Sequence, residues 1–178
     1  MRNNWFAPIN YIVADGTAVD DTTTEEVIFP ALSFPILAGF MNKQRGLGFE
    51  LYGKLSTTGT PTITFTVRWG GVAGTVLAIT EAITNGSGVS NVNWSLTGLI
   101  QARAEGASGS LLVMGEAKVH TAAATVVTNV FGVSGYDAPA VVSADLTAAA
   151  DLAFTADWSA QSASNTLTGL LGHVWSIN

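Results

Sequence analysis

Few side chains in this sequence could do acid–base or metal chemistry, and their spacing limits what they could do. His120 and His173 are the only histidines. Neither has a second histidine at metal-ligand spacing, so each reads as an ordinary strand residue and not as a ligand or base. A glycosidase needs two carboxyl groups facing across a cleft, for instance from Glu50, Glu116, Asp151 and Asp157, but nothing in the sequence pairs them. Asp15, Asp20, Asp21, Glu25 and Glu26 form the densest acidic group. They lack the alternating acids, central glycine and terminal glutamate of a calcium loop and read as a solvated acidic segment. No Gly-x-Ser-x-Gly elbow occurs and there is no cysteine, which excludes thiolate nucleophiles, thiolate metal sites and disulfides. The glycines after Trp69 are followed by neither the Lys-Ser/Thr of a phosphate loop nor a helix. The expectation is a non-enzymatic chain with no cofactor, no metal and no small-molecule substrate.

Trp69, Trp94, Trp158 and Trp175 lie in strand-like segments and share the phase of the apolar residues there. That phase predicts core or subunit-interface packing, and a carbohydrate platform is the other reading.

The elements that would position these residues are strands. In Thr62-Ile63-Thr64-Phe65-Thr66-Val67-Arg68-Trp69 the apolar residues occupy every second position, a period that gives a strand one dry and one wet face. Leu47, Phe49, Leu51 and Leu55 alternate just upstream, and Ser56 to Pro61 is rich in turn-forming residues, which predicts a hairpin with one buried face. Downstream, strands are predicted near Thr75–Thr80, Asn91–Ala104, Ser110–His120, Thr121–Phe131, Asp151–Ala160 and Thr166–Ile177. Gly98 shifts the phase of the second of these, which predicts a bulge there. Glu25–Pro30 and Leu32–Phe40, interrupted by prolines, are predicted at a sheet edge, and Val141–Ala150 is ambiguous. No stretch has the apolar periodicity and caps of a helix.

About eight core strands with frequent turns predict an all-β chain, an antiparallel β-sandwich of jelly-roll type. Residues 1–22 read as an extended amino-terminal arm and 23–178 as one sandwich domain. The arm carries Trp5, Phe6, Pro8, Ile9 and Tyr11, which would pack on the chain's own sheet or dock on a partner.

Charged residues make up 11% of the 178 and hydrophobic ones 48%, against about 25% charged in ordinary soluble domains. Such a surface predicts an oligomer or an attached subunit. Seven Lys and Arg in a chain of net charge −6 argue against nucleic acid. The first residues lack the apolar core of a signal peptide, and Phe29 to Met41 is too short and too proline-broken to span a bilayer, so no membrane role is expected.

Lys54 to Gly71, with Ser-Thr-Thr-Gly-Thr-Pro followed by the alternating run into Trp69-Gly70-Gly71, and Ala156 to Thr168 with Asp157-Trp158-Ser159-Ala160-Gln161-Ser162, resemble segments of small jelly-roll virion proteins of tailed bacteriophages. The resemblance covers most of residues 45–178. It implies a capsid decoration (cement) protein without an active site, a homotrimer on the capsid surface of a virion assembled in the host cytoplasm. Its partner would be the major capsid protein, contacted by Trp5, Phe6, Pro8, Ile9 and Tyr11. A fibre or spike module that binds a host surface glycan, with loop residues such as Tyr136 as platform, is the alternative.

Overall fold

The structure, a computed structural model, describes residues 6–122, 124–132 and 138–177, with side chains from residue 8 onward. Among these residues there are fourteen strands and no helix. In chain order they are β1 (Phe6–Tyr11), β2 (Val19–Asp20), β3 (Glu26–Val27), β4 (Pro35–Ile36), β5 (Gly46–Ser56), β6 (Thr62–Trp69), β7 (Thr75–Ile79), β8 (Ile83–Thr84), β9 (Val92–Ala104), β10 (Gly109–Ala122), β11 (Thr125–Val130), β12 (Val142–Ala144), β13 (Ala150–Trp158) and β14 (Thr166–Ile177). They form two antiparallel sheets packed as a sandwich, as the alternating pattern predicted. The large sheet runs β1-β14-β5-β9-β10-β11, with β2 also on β14 and β12 also on β10. The small sheet runs β3-β13-β6-β7, with β4 on β13 and β8 on β6.

The core lies where the apolar faces meet. From the large sheet come Leu47, Phe49, Leu51 and Leu55 of β5, with Leu96 and Ile100 of β9; from the small sheet come Ile63, Phe65 and Val67 of β6, with Leu152 and Phe154 of β13, all buried. Aromatic rings join the layers: Phe49 and Phe154 lie 4.9 Å apart, and Phe65 and Trp94 5.7 Å apart.

One sequence expectation is overturned here. β5 and β6 are not a hairpin; β5 pairs with β14 and β9, whereas β6 pairs with β13, β7 and β8. Both strands do bury one face, but they bury it against each other across the sandwich. A period of two fixes which side of a strand is dry and leaves its hydrogen-bonding neighbour open. The Ser/Thr/Gly/Pro segment therefore crosses between layers. It is held by Thr57, whose N–H donates to the Val89 carbonyl at 2.9 Å and whose hydroxyl donates to that of Gly86 at 2.6 Å. Asn165 Oδ1 accepts from the Thr58 N–H at 2.9 Å. The hairpin that β6 does form is with β7, turned by Gly70 and Gly71 at φ of 99° and 81°, a region glycine enters without penalty.

The bulge expected at Gly98 is also absent. β9 stays in register with β5 from Gln101 to Val92, so Trp94, Leu96, Ile100 and Ala102 all face the core and Leu99 faces out. Gly98 has a packing role instead, since a Cβ there would lie 2.5 Å from the Phe49 ring. Register shifts lie elsewhere, among them one where Ala104 and Ala102 of β9 oppose Ser110 and Leu111 of β10 and one in β14, whose register on β5 shifts between Gly169 and Leu171.

Over Phe6–Tyr11 the segment that reads as an arm is a strand on the edge of the chain's own large sheet, paired from Phe6 opposite Ile177 to Tyr11 opposite His173 with a register shift between Pro8 and Asn10. Val19 is buried beneath the start of β14, where its carbonyl accepts the Trp158 indole N–H at 2.9 Å.

Candidate functional site

The outward face of the large sheet combines exposed apolar groups with most of the side chains singled out above. Register places Glu50, Thr97 and Glu116 side by side on β5, β9 and β10, and Tyr52, Ser95 and Lys118 in the next outward row. Leu171 stands beside Tyr52 on β14, and Lys54 lies beside Asn93. Seven large hydrophobic residues are exposed on this face: Tyr11, Tyr52, Leu99, Met114, Val126, Val130 and Leu171, from 41% to 63%. The short side chains of β9, Asn93 and Ser95, lie between taller ones on either side. The result is a depression of about 490 Å³ walled by Tyr52 and Leu171 on one flank and by Lys118, His120 and Val126 on the other. At the Gly46–Gln101 end a second, polar hollow is lined by Lys43, Gln44, Gln101, Ala102 and Arg103.

An aromatic row runs along the β14 edge of this face. The Tyr11 and His173 rings stack at 5.8 Å, and those of His173 and Trp175 at 4.8 Å. Trp175 lies flat on Gly48, where a Cβ would stand 2.3 Å from the indole. Its buried Nε1 has no partner among the described residues. Sequence phase put Trp175 with the apolar set of its strand. The β14 bulge reverses that phase, because one inserted residue sends every later side chain to the opposite face. Trp69, Trp94 and Trp158 are buried in the core, as their phase predicts.

Of the arm residues expected to contact a partner, Pro8 is exposed and Tyr11 is 58% exposed. Ile9 is partly buried against the chain's own core. Trp5 and the side chain of Phe6 lie outside the described residues, as does Tyr136.

The four carboxylates weighed as a catalytic pair are dispersed. Glu50 and Glu116 face outward from the large sheet, and each is engaged: the Tyr52 hydroxyl donates to Glu50 at 3.4 Å, His173 Nε2 stands 3.9 Å from it, and Lys118 forms an ion pair with Glu116. Asp151 secures backbone, its carboxylate accepting from the Leu32 N–H at 3.1 Å and its carbonyl from the N–H groups of Gly70 and Gly71. Asp157 belongs to the opposite layer. There, burial and then the charge of Glu25 push its carboxyl above the ordinary range.

Sequence reading missed the partnership of Glu25. Its carboxylate accepts from Arg68 Nε at 2.6 Å and Nη2 at 2.5 Å, a two-pronged pair across 43 residues, and also from the Thr155 hydroxyl. Burial raises the Glu25 pKa, but the hydrogen bonds from Arg68 and Thr155 and the guanidinium charge outweigh it and hold the carboxyl below its usual range. The sequence signal was an arginine on the wet face of an alternating strand, which announces a charge but not its partner. Among the described residues no group of three or more His, Asp or Glu could hold a metal ion. Among the described residues no helix is long and apolar enough to cross a membrane. Compared with known proteins, the chain matches no family, no curated protein and no solved structure.

Proposed function

We propose that this chain is a non-enzymatic structural subunit of a phage particle, a head decoration protein that seats on the major capsid protein and stabilises the shell. The observation that carries this reading is the exposed apolar band on the large sheet. A monomer seldom leaves so many large apolar side chains together on one flat face, and surfaces of this kind mark contacts with other macromolecules. Contact of this type works by area: each Å² of apolar surface removed from water at a joint between capsomers contributes about 25 cal/mol, repeated over every site on the shell.

The jelly-roll part of the reading is supported by strand order. Counting β1, β3, β5, β6, β7, β9, β13 and β14 as first to eighth, one sheet contains the first, eighth, third and sixth, and the other the second, seventh, fourth and fifth. Two Greek keys rolled into a sandwich give that order, and β10, β11 and β12 then extend the first sheet beyond β9. Among the described side chains of the arm, Pro8 and Tyr11 of β1 are exposed and available to the shell.

The test is co-sedimentation with shells assembled without this protein. Deleting residues 1–22 would remove β1 and β2 from the sheet, so the informative variant is Tyr11→Asp. The full chain is expected to pellet with the shells and Tyr11→Asp to bind at least about tenfold more weakly. A full chain that stays in the supernatant removes the capsid reading. A glycan-binding module is the second reading, favoured by the Tyr52-walled depression with Lys118 and His120 at its rim. A glycan array with no signal above background removes it.

A further inference from the structure

We propose that two copies of this chain pair face to face through the centre of the large sheet, with a two-fold axis lying in the interface and running across the strands. The inference goes beyond the particle reading and gives the same apolar band to a second copy, so that a pair would meet a shell through the β1 edge with Pro8 and Tyr11. At that centre, four charges are ordered in the same sense on two strands. β5 carries Lys54, then Tyr52, then Glu50 outward, and β10 carries Lys118 and then Glu116 in matching rows, with Ser95 and Thr97 of β9 between them. Within these central rows the cations therefore lie on one side of the Ser95–Thr97 midpoint and the acids on the other.

A second copy turned over about an axis between the Ser95 and Thr97 rows runs its strands the opposite way. Each Lys118 then meets the partner's Glu116, and each Tyr52 hydroxyl meets the partner's Glu50. These are the pairs that a single chain already makes within itself. They need only be exchanged; Lys54, one row further from the axis, falls opposite the partner's Gly48 near the rim, where its ammonium keeps its water. An axis parallel to the strands would instead set Glu50 against the partner's Glu116, which like-charge repulsion disfavours.

Two further observations select a copy of this chain as the occupant. Glu50 and Glu116 cancel Lys54 and Lys118, so the net charge of −6 resides on the rest of the molecule, and this neutral face is where two acidic copies can approach with least repulsion. A cationic partner would choose the acidic remainder. The area also suffices. The five strands from β14 to β11 at about 4.8 Å spacing, over about eight residues at about 3.3 Å, give roughly 600 Å² per copy. That is about 1,200 Å² for the pair, the lower end of stable specific interfaces. Leu99, Met114, Val126, Val130 and Leu171 supply its apolar part.

The experiment is sedimentation velocity of the full chain in the micromolar range, with charge reversals. The wild type is expected to sediment at twice the 18.4 kDa of the chain. Glu116→Lys and Lys118→Glu should each weaken the pair by about tenfold or more, and the double exchange should restore it, because reversing both charges leaves the face self-complementary. Melting curves of the three variants check that each is folded. A monomeric wild type overturns the proposal, and so does a trimer, or a dimer indifferent to both single reversals. Because no shell is present, failure here is distinct from failure to co-sediment.

Discussion

Replacing Glu25 by Gln removes the negative charge from the ion pair on the small sheet and leaves the partly buried Arg68 guanidinium with neutral acceptors only, one amide oxygen at position 25 and the Gly74 carbonyl, 2.8 Å from Nη1. Removing one partner of a fully buried pair costs about 3–5 kcal/mol, and breaking an exposed pair about 0–1. The Arg68 and Glu25 side chains are 17% and 22% exposed. After allowance for screening, the expected loss at pH 7 is about 2 kcal/mol, or about 4–8 °C in a domain of this size. The pH dependence follows from the sign of the shift. A carboxyl held below its unfolded value near 4.5 contributes stability that is complete above that value and is lost as the pH falls through its folded pKa. Arg68, its pKa raised first by the hydrogen bond to Glu25, stays charged throughout. Urea titrations at pH 7 and near pH 3 should therefore show a large gap between wild type and Glu25→Gln that narrows in acid. No loss at pH 7, or an equal loss at both, would refute the role assigned to the pair.

Other expectations follow from the same packing. Asp157, raised by burial and by Glu25, has the opposite sign: its contribution is present in acid and is lost as pH rises through the elevated pKa. Asp157→Asn should thus raise the urea midpoint at pH 7, and raise it less in the Glu25→Gln background; a lowered midpoint would count against this. Gly53→Ala should fail to accumulate as folded protein, since its Cβ would stand 2.0 Å from the Thr168 carbonyl oxygen and 2.5 Å from the Trp94 ring, a clash that a native circular-dichroism melt would disprove. Asn165→Ala should cost about 1–3 kcal/mol by chemical denaturation, because it strands the Thr58 N–H at the crossover between layers. Trp175→Phe should leave the midpoint within about 0.5 kcal/mol. Trp94→Phe, which loses core volume and the hydrogen bond to the Lys54 carbonyl, should lower it clearly.

Alternation made the two layers legible in the sequence. Ile63, Phe65 and Val67, or Leu111, Val113, Ala117 and Val119, could only be the dry sides of strands, and they are. Neighbours were not legible, because the bonds that join β5 to β14 and β9 are between backbone groups common to all residues, and a segment such as Ser56–Pro61 can reverse a chain within a layer or carry it to the next. Phase beyond a bulge was equally hidden. Nothing in Thr168-Gly169-Leu170-Leu171 marks the inserted residue that turns Trp175 outward and completes the row with Tyr11 and His173. The outward face was legible only as a shortage of charge, since which exposed residues share a face depends on register between segments tens of residues apart.

The placement of β14 also bears on how this protein comes to be made. The last strand lies between β1 and β5, pairing Phe6 on one side and Gly46 on the other with Ile177. On a ribosome, neither of those early strands has that shared neighbour until β14 has emerged, and each waits with an unpaired backbone edge. Closure over such separations is slow, and waiting edges are where copies join wrongly. Synthesis rate, chaperone supply and anything fused after Ile177 should therefore govern yield more strongly than most changes to the core, and chains stopped short of Thr166 should be found in aggregates.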